Sequence, residues 1–239
     1  MRTTPSARIG ALTGLLYAPA FVGLLVWSGV AYPDIANDQD SVLRAVLVPE
    51  AILAVVLIGL VSWWGWWGPV LRDDRPAPGW LKVIPILLGL AIVGGLIENA
   101  AVLPTLAPSL LAVTLVATLL VGFNEELVYR GIAVVGFRAS LPEWQVWLFS
   151  SLLFAALHAW NAAAGQDLAS TAVQVVMTFG IGSVLYLCRR ASGTIIVPML
   201  LHGFYDSISF RLVSGVANLA LIAMLVVTAA GLYAALRRS

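Results

Sequence analysis

Charged side chains are scarce in this sequence: they make up 10% of its 239 residues, against roughly 25% in an ordinary soluble domain. Hydrophobic residues make up 61%, and the mean hydropathy is +0.96. With so little charge the chain cannot cover a soluble domain with polar surface, so the composition excludes that class. It indicates a polytopic membrane protein whose helices face lipid.

Cysteine and histidine are also nearly absent. A lone Cys188 excludes an internal disulfide and any metal site built from several cysteines. The two histidines, His158 and His202, do not form an HExxH run, and no serine lies in a nucleophile-elbow motif. Zinc therefore remains possible only through a non-contiguous Glu/His/His set. A net charge of +1 gives no indication of nucleic-acid binding, and we expect no nucleic-acid partner.

Long apolar stretches, each able to cross about 30 Å of hydrocarbon, recur along the chain. Their backbone groups must be paired within the segment, so they are predicted to be helices. We therefore expect an all-α polytopic membrane protein with about eight transmembrane helices. The first apolar run is longer than the ~7–15 residues of a signal peptide, so we expect it to be retained. The predicted spans are 9–31, 42–69, 81–103, 108–137, 144–161, 170–188, 192–210 and 213–236.

The basic residues predict the orientation, because Lys and Arg near helix ends are retained on the cytoplasmic side. In an eight-helix topology only Arg44 and Arg211 fall on the other side, and Arg130 lies within a span. We predict a plasma-membrane protein with both termini in the cytoplasm and the acidic loop 33–40 outside. The residues on the predicted cytoplasmic side are Arg2, Arg8, Arg72, Arg75, Lys82, Arg138, Arg189, Arg190, Arg237 and Arg238.

Polar residues inside the predicted helices form a short set. A charged side chain at the bilayer centre costs at least about 2.5–3.5 kcal/mol, so such residues usually face the bundle interior and serve a function. We expect Glu50 and Glu98, near external helix ends, to be structural and satisfied by snorkelling or interfacial water. We expect Gln174 to join helices by hydrogen bonding. The remaining members are Asn124, Glu125, Glu126, Arg130, His158, His202 and Asp206.

Three of these residues are predicted to share one depth in the bilayer. The helices on either side of the turn at 140–143 run antiparallel, and Glu125 and His158 are equally distant from that turn. His202 follows the cytoplasmic start of its helix by a similar length, roughly 18 Å at 1.5 Å per residue. A carboxylate and two imidazoles from three helices therefore converge on one layer.

Residues four apart on a helix share a face and supply local partners. This spacing pairs Arg130 with Glu126, and places Asp206 beside His202. Phe154 stands over His158 in the same way. A carboxylate beside an imidazole, away from bulk solvent, is suited to activate water as a general base. An imidazole N–H can donate to a developing oxyanion, so the set indicates a hydrolase acting on an amide in or beside the membrane.

Three motifs in this set carry a family resemblance. They read Glu125-Glu126-Leu-Val-Tyr-Arg130-Gly, Phe154-Ala-Ala-Leu-His158, and His202-Gly-Phe-Tyr-Asp206. In this order and spacing they resemble the CAAX protease and bacteriocin-processing (CPBP or Abi) family of intramembrane glutamic endopeptidases, which includes the Ras-converting CAAX endopeptidase. The resemblance divides the chain into variable helices 1–3 (1–107), a catalytic core of helices 4–7 (108–210) and a C-terminal helix 8 (211–239).

The resemblance implies catalytic roles position by position. Glu125 and His158 would activate the attacking water, and His202 with residue 206 would stabilise the oxyanion. Glu126 and Arg130 would hold the geometry, supported by Phe154, and no metal or other cofactor is expected. The family more often has Asn where Asp206 stands, and an ionised Asp would repel an oxyanion. Either Asp206 is protonated, or it orients His202 by accepting from one ring nitrogen while the other donates; we favour the second.

The sequence thus predicts an intramembrane endopeptidase that cuts a membrane-associated protein or peptide near the cytoplasmic or mid-membrane level. One alternative is a non-catalytic bacteriocin-immunity or binding protein of the same fold, and another is a zinc-dependent membrane protease. A transporter using Glu125 and Arg130 is a third, although no inverted repeat supports it. One Lys against twelve Arg suggests a GC-rich bacterial genome, so prenylated substrates are not expected. The oligomeric state is not determined by the sequence.

Overall fold

The structure, a computed structural model, describes residues 2–75, 77–209 and 215–236. These ranges contain helices and no strand, which confirms the predicted all-α class. Short 3-10 segments lie in several connections. The helices are α1 (Ala7–Ser28), α2 (Gln39–Trp64), α3 (Trp67–Leu71), α4 (Val83–Glu98), α5 (Pro108–Arg138), α6 (Glu143–Ala159), α7 (Leu168–Ser192), α8 (Ile196–Ser209) and α9 (Gly215–Leu236).

Six stretches of the described chain are long and apolar enough to cross a membrane, so the predicted count of eight is not confirmed. The predicted seventh span, 192–210, contains α8, whose 14 residues reach only about 21 Å at 1.5 Å per residue. The predicted eighth, 213–236, corresponds to α9; residues 213 and 214 lie outside the described ranges. The six are Ala7–Ser28, Gln39–Trp64, Gly79–Glu98, Pro108–Arg138, Glu143–Ala164 and Leu168–Ser192.

Two glycines end helices earlier than the apolar pattern predicts. Gly29 follows α1 at φ 74°, and Gly65 follows α2 at φ 72°. This left-handed conformation is disfavoured for residues with a Cβ and is the usual way to stop a helix. The predicted spans 9–31 and 42–69 run past these caps because hydropathy does not register a backbone turn.

The loops of the bundle collect charge at its two ends. At one end, hereafter the basic end, Asp73 binds Arg189 Nε at 2.9 Å and Arg138 Nη2 at 3.0 Å. Burial raises the pKa of Asp73, but Arg138 and Arg189 more than offset this and hold it below the ordinary value. Glu143 at the same end binds Arg190 Nη1 at 3.0 Å. These pairs join the α3–α4 connection to the α5–α6 turn and to the end of α7.

The opposite end, hereafter the acidic end, carries the connection between α1 and α2. Asp38 caps α2 by accepting from Ser41 N at 2.9 Å, and Asp40 pairs with Arg44 at 3.3 Å. Tyr32 OH accepts from Asn161 Nδ2 at 3.2 Å, which ties this connection to the segment after α6. The other arginine predicted at this end, Arg211, lies outside the described residues.

Helices α5 and α8 cross at unusually close range. A Cβ placed on Gly122 of α5 would lie 2.5 Å from the carbonyl oxygen of Met199. A Cβ placed on Gly203 of α8 would lie 2.7 Å from Leu119 Cα. Small residues let membrane helices approach backbone to backbone. This crossing brings the polar residues of α5 and α8 within contact distance.

Candidate active site

Helix α5 supplies three buried charged side chains to the interior of the bundle. Glu125 is 8% exposed, and Glu126 and Arg130 are fully buried. Immediately after Glu126 the helix widens into a π-helical segment, Leu127–Ala133, in which every residue is buried. Such segments are rare and frequently lie at functional sites.

One oxygen of Glu126 holds two partners. Its Oε1 accepts from Arg130 Nη1 at 3.0 Å and lies 3.1 Å from His202 Nδ1. The Arg130 guanidinium also stacks 4.1 Å from the centre of the Phe154 ring. The predicted pair between Glu126 and Arg130 is therefore present, and it reaches α8 through His202.

His202 stands among three carboxyl groups. Its Nδ1 faces Glu126, and its Nε2 lies 3.4 Å from Asp206 Oδ2 and 3.8 Å from Glu125 Oε2. The predicted contact between His202 and Asp206 is present. Because Glu126 engages Nδ1, the ring nitrogen on the side of Glu125 and Asp206 is Nε2. The expectation that Asp206 would engage one ring nitrogen and leave the other free to donate is therefore wrong, since Glu126 occupies that other nitrogen.

His158 is oriented by its own helix. Its Nδ1 lies 3.0 Å from the carbonyl oxygen of Phe154. A carbonyl oxygen only accepts, so Nδ1 donates and the neutral ring presents Nε2 as an acceptor. The Phe154 ring contacts both imidazoles edge-on, with centroids 5.2 Å from His158 and 5.6 Å from His202. Phe154 thus spaces the two rings, and its predicted position over His158 is present.

A cavity of about 400 Å³ lies beside this cluster of side chains. Glu125, His158 and Asp206 line it, together with Glu50 and Gln174. Within the described part of the chain, Glu125 Oε2 is buried and has no hydrogen-bond partner. A buried acceptor without a donor is costly, so the Glu125 carboxylate is suited to accept a hydrogen bond from a molecule in the cavity that it lines.

Glu50 is a site residue that sequence reasoning missed. The expectation that snorkelling or interfacial water satisfies it is wrong, because it is 1% exposed. It accepts from Tyr17 OH at 2.9 Å and from Asn124 Nδ2 at 2.5 Å. The sequence does contain an indication of this role, because Glu50 has no polar residue three or four positions away on its own helix. The residues at those positions are Val46, Leu47, Leu53 and Ala54. A carboxylate without a polar neighbour on its own helix must find partners on other helices.

The structure places Gln174 between helices and Glu98 at the protein surface. Gln174 Oε1 accepts from Asn161 Nδ2 at 3.0 Å, which confirms its predicted part in joining helices. Glu98 is exposed at the end of α4 and does not line the cavity. Among the residues that the structure describes, no group of three or more His, Cys, Asp or Glu is arranged to hold a metal ion. The expected absence of a metal stays a prediction.

Comparison with known proteins identifies the central helices. Residues 107–208 match the model of a family described as type II CAAX prenyl endopeptidase Rce1-like. This segment is similar to that family. It contains all three motifs, and the match confirms the predicted resemblance to the CAAX protease family. No curated protein and no solved structure matches the chain.

The Rce1-like match carries implications for the class of protein. It implies CAAX-type intramembrane protease activity, which is a hydrolase activity on a peptide at the bilayer. Together with the six spanning helices, it makes the chain a multi-pass membrane protein.

Proposed function

We propose that the chain is a glutamic-type intramembrane endopeptidase, which hydrolyses a peptide bond of a membrane-associated protein or peptide with water activated by Glu125 and His158. The observation that supports this proposal most is that Glu125 and His158 line the same cavity, and that the buried Oε2 of Glu125 has no hydrogen-bond partner in the described chain. The proposed location is the plasma membrane, with the basic end in the cytoplasm.

Water activation uses the two acceptors that face the cavity. A water between Glu125 and His158 can donate one hydrogen bond to the carboxylate and one to His158 Nε2. As the water oxygen bonds to the carbonyl carbon of the substrate, its proton moves to Glu125. His158 keeps its orientation because Nδ1 remains bound to the Phe154 carbonyl.

The resulting oxyanion needs a donor. His202 Nε2 is the candidate, because Glu126 holds Nδ1 on the opposite side of the ring. Asp206 at 3.4 Å and Glu125 at 3.8 Å stabilise a positive charge on this imidazole. In this proposal Asp206 receives the Nε2 proton of His202 before substrate binds, and the same N–H turns to the oxyanion once it forms. Glu126 with Arg130 keeps the ring from turning through Nδ1.

Collapse of the tetrahedral intermediate breaks the bond between carbon and nitrogen. Glu125 then returns its proton to the departing amine, so that the carboxylate is regenerated. The products are a peptide with a new carboxyl terminus and one with a new amino terminus. No metal ion takes part in this sequence of steps.

The test is a Glu125→Gln variant reconstituted in liposomes, with released peptides measured by mass spectrometry. Gln keeps the size of the side chain but cannot take up the water's proton, so cleavage should fall by at least about 10²-fold, as for loss of a general base. Glu98→Gln is the matched control, since Glu98 lies on α4 outside the cavity. Cleavage by Glu125→Gln at the wild-type rate would eliminate this mechanism. Bacteriocin immunity that persists in this variant, without cleavage by wild type, would instead favour the non-catalytic alternative.

A further inference from the structure

The cavity wall is unusual in its balance of charge. Its carboxyl groups are Glu50, Glu125 and Asp206, and no lysine or arginine of the described chain lines it. The nearest guanidinium of the site, that of Arg130, is paired with Glu126 and stacked on Phe154, and it does not line the cavity.

Two imidazoles face these carboxyl groups. His202 contacts Asp206 and Glu125, so a proton on its ring balances one negative charge. His158 lines the cavity and is engaged by the Phe154 carbonyl through Nδ1. A proton on His202 can balance only one carboxylate, so the three carboxyl groups of the wall have no fixed cation among the described lining residues. A low-dielectric site of this kind favours a cation that brings its own N–H donors, because that cation stabilises the ionised form of the carboxyl group that it binds.

Glu50 is the carboxyl group of this cavity that has no part in the proposed chemical steps. It is held by Tyr17 from α1 and by Asn124 from α5, whose Nδ2 also donates to the Glu50 carbonyl oxygen at 2.7 Å. Both donors are neutral, so they fix the carboxylate in place without cancelling its charge. Glu50 can therefore act on substrate choice independently of the chemical step.

The second indication is the direction in which the cavity extends. Tyr32, Pro33 and Ala36, from the α1–α2 connection at the acidic end, line it together with Ser209 at the end of α8. Asp34, in the same connection, is exposed. A peptide that approaches from this end meets negative charge before it reaches Glu125, and such a field raises the local concentration of cations.

Since Glu125 and Glu50 line one cavity, the first with a carboxylate whose Oε2 has no hydrogen-bond partner in the described chain and the second held in place by neutral donors, we infer that the site selects peptide segments with a Lys or Arg side chain near the scissile bond, and that Glu50 is the residue that sets this preference. The inference rests on the proposed peptidase function. It places the approach of the substrate at the acidic end, opposite the end that is proposed to face the cytoplasm.

The first experiment compares peptides that are identical except for Lys, norleucine or Glu at one position at a time on either side of the scissile bond. We expect wild type to cleave the best Lys peptide about tenfold faster in kcat/KM than its norleucine analogue, the size of one net charge-assisted hydrogen bond. In Glu50→Gln this ratio should fall to about two, because the Lys peptide loses a charged partner that the norleucine peptide does not use. Gln keeps the size of the side chain and an acceptor oxygen for Tyr17 and Asn124.

Asp34→Asn is the matched control, because it removes one charge from the acidic end outside the cavity. Its Lys preference should fall by far less than that of Glu50→Gln, because Asp34 acts on the approaching peptide only through the screened field of the surface. Equal loss of preference in Asp34→Asn and Glu50→Gln would assign the effect to surface charge and overturn the inference. If wild type shows no preference for Lys at any position, this result alone overturns the inference.

A binding experiment separates this inference from the proposed activity. A fluorescein-labelled Lys peptide and its norleucine analogue are titrated onto Glu125→Gln and onto Glu125→Gln with Glu50→Gln, in lipid nanodiscs. Tighter binding of the Lys peptide that disappears with Glu50→Gln supports the inference even if no peptide is cleaved by wild type. Cleavage by wild type with equal binding of both peptides contradicts the inference and leaves the peptidase proposal standing.

Discussion

The imidazole of His202 and the carboxylate of Glu126 meet at 3.1 Å across 76 positions of the chain. The same oxygen of Glu126 accepts from Arg130 at 3.0 Å. A single buried atom therefore links α5, α8 and a guanidinium. This link makes the stability of the bundle and the orientation of His202 depend on one ion pair.

Replacing only Glu126 of this ion pair should lower the stability of the protein more than replacing both Glu126 and Arg130. Glu126→Gln leaves the Arg130 charge buried and unpaired, and we expect a loss of about 3–5 kcal/mol in stability. Adding Arg130→Met to Glu126→Gln should recover much of this loss, because a hydrophobic side chain replaces the orphaned charge. SDS titration of the purified variants measures the difference. A double variant less stable than Glu126→Gln would contradict a buried pair.

Asp206 tests how His202 is oriented. In Asp206→Asn the side-chain oxygen can still accept from His202 Nε2, so kcat/KM should remain within about tenfold of wild type. Asp206→Leu has a similar size and no acceptor, and kcat/KM should fall by about 10²-fold or more. The two variants are compared on one peptide after their folding has been verified. Equal activities of Asn and Leu at this position would show that no hydrogen bond from residue 206 matters.

Adding a single methyl group at Gly203 tests the close crossing of α5 and α8. Gly203→Ala places a Cβ 2.7 Å from Leu119 Cα, so the helices must separate. We expect a loss of about 1–3 kcal/mol from overpacking, and reduced cleavage because His202 is the adjacent residue. Gly59→Ala is the control, since nothing lies within 4 Å of a Cβ there. Unchanged stability and activity in Gly203→Ala would contradict this helix contact.

Acid should release the contacts of Asp73 at the basic end. Folding holds the pKa of Asp73 below its ordinary value of about 3.9. Its contribution to stability is therefore complete above that pH, and it is lost as the pH falls through the lower pKa of the folded state. Asp73→Asn lacks this contribution at every pH, so the gap in stability between wild type and variant should narrow on acidification. Parallel pH profiles would show that Asp73 is not the titrating group.

Metal removal distinguishes the proposed mechanism from a zinc protease. We expect cleavage by wild type to survive exhaustive dialysis against a chelator, because Glu125, His158 and His202 act on water and substrate directly in this mechanism. The measurement is peptide release before and after dialysis, with metal content determined in the same samples. Activity that is lost with the metal and restored by Zn²⁺ would replace the glutamic assignment by the zinc alternative.

Much of the site was predictable because its partners are local. The pairs Glu126–Arg130 and His202–Asp206 and the stack of Phe154 over His158 all follow from a spacing of four on a helix. The common level of Glu125 and the two histidines followed from counting residues away from a turn. The partners of Glu50 could not be counted in this way, since Tyr17 and Asn124 belong to other helices and their rotation about each axis is set by packing.

The number of spanning helices illustrates the same limit at a larger scale. A hydropathy profile averages the hydrophobicity of a window of residues. The predicted first two spans therefore ran past Gly29 and Gly65, where a left-handed backbone conformation ends the helix. The profile also gave 192–210 a full crossing, although α8 spans only Ile196–Ser209. Backbone turns and helix lengths depend on local conformation, which average hydrophobicity does not report.

The amino-acid sequence alone determined that this protein is an all-α membrane protein, and it predicted the candidate catalytic residues, because hydrophobicity and helical spacing are properties of neighbouring residues. Only the tertiary structure decided that Glu126 holds His202 by Nδ1, that Gly122 and Gly203 permit this approach, and that Glu50 faces the cavity of Glu125. Those relations depend on how separate helices rotate and cross, and close packing of whole side chains settles that only when all helices are in place.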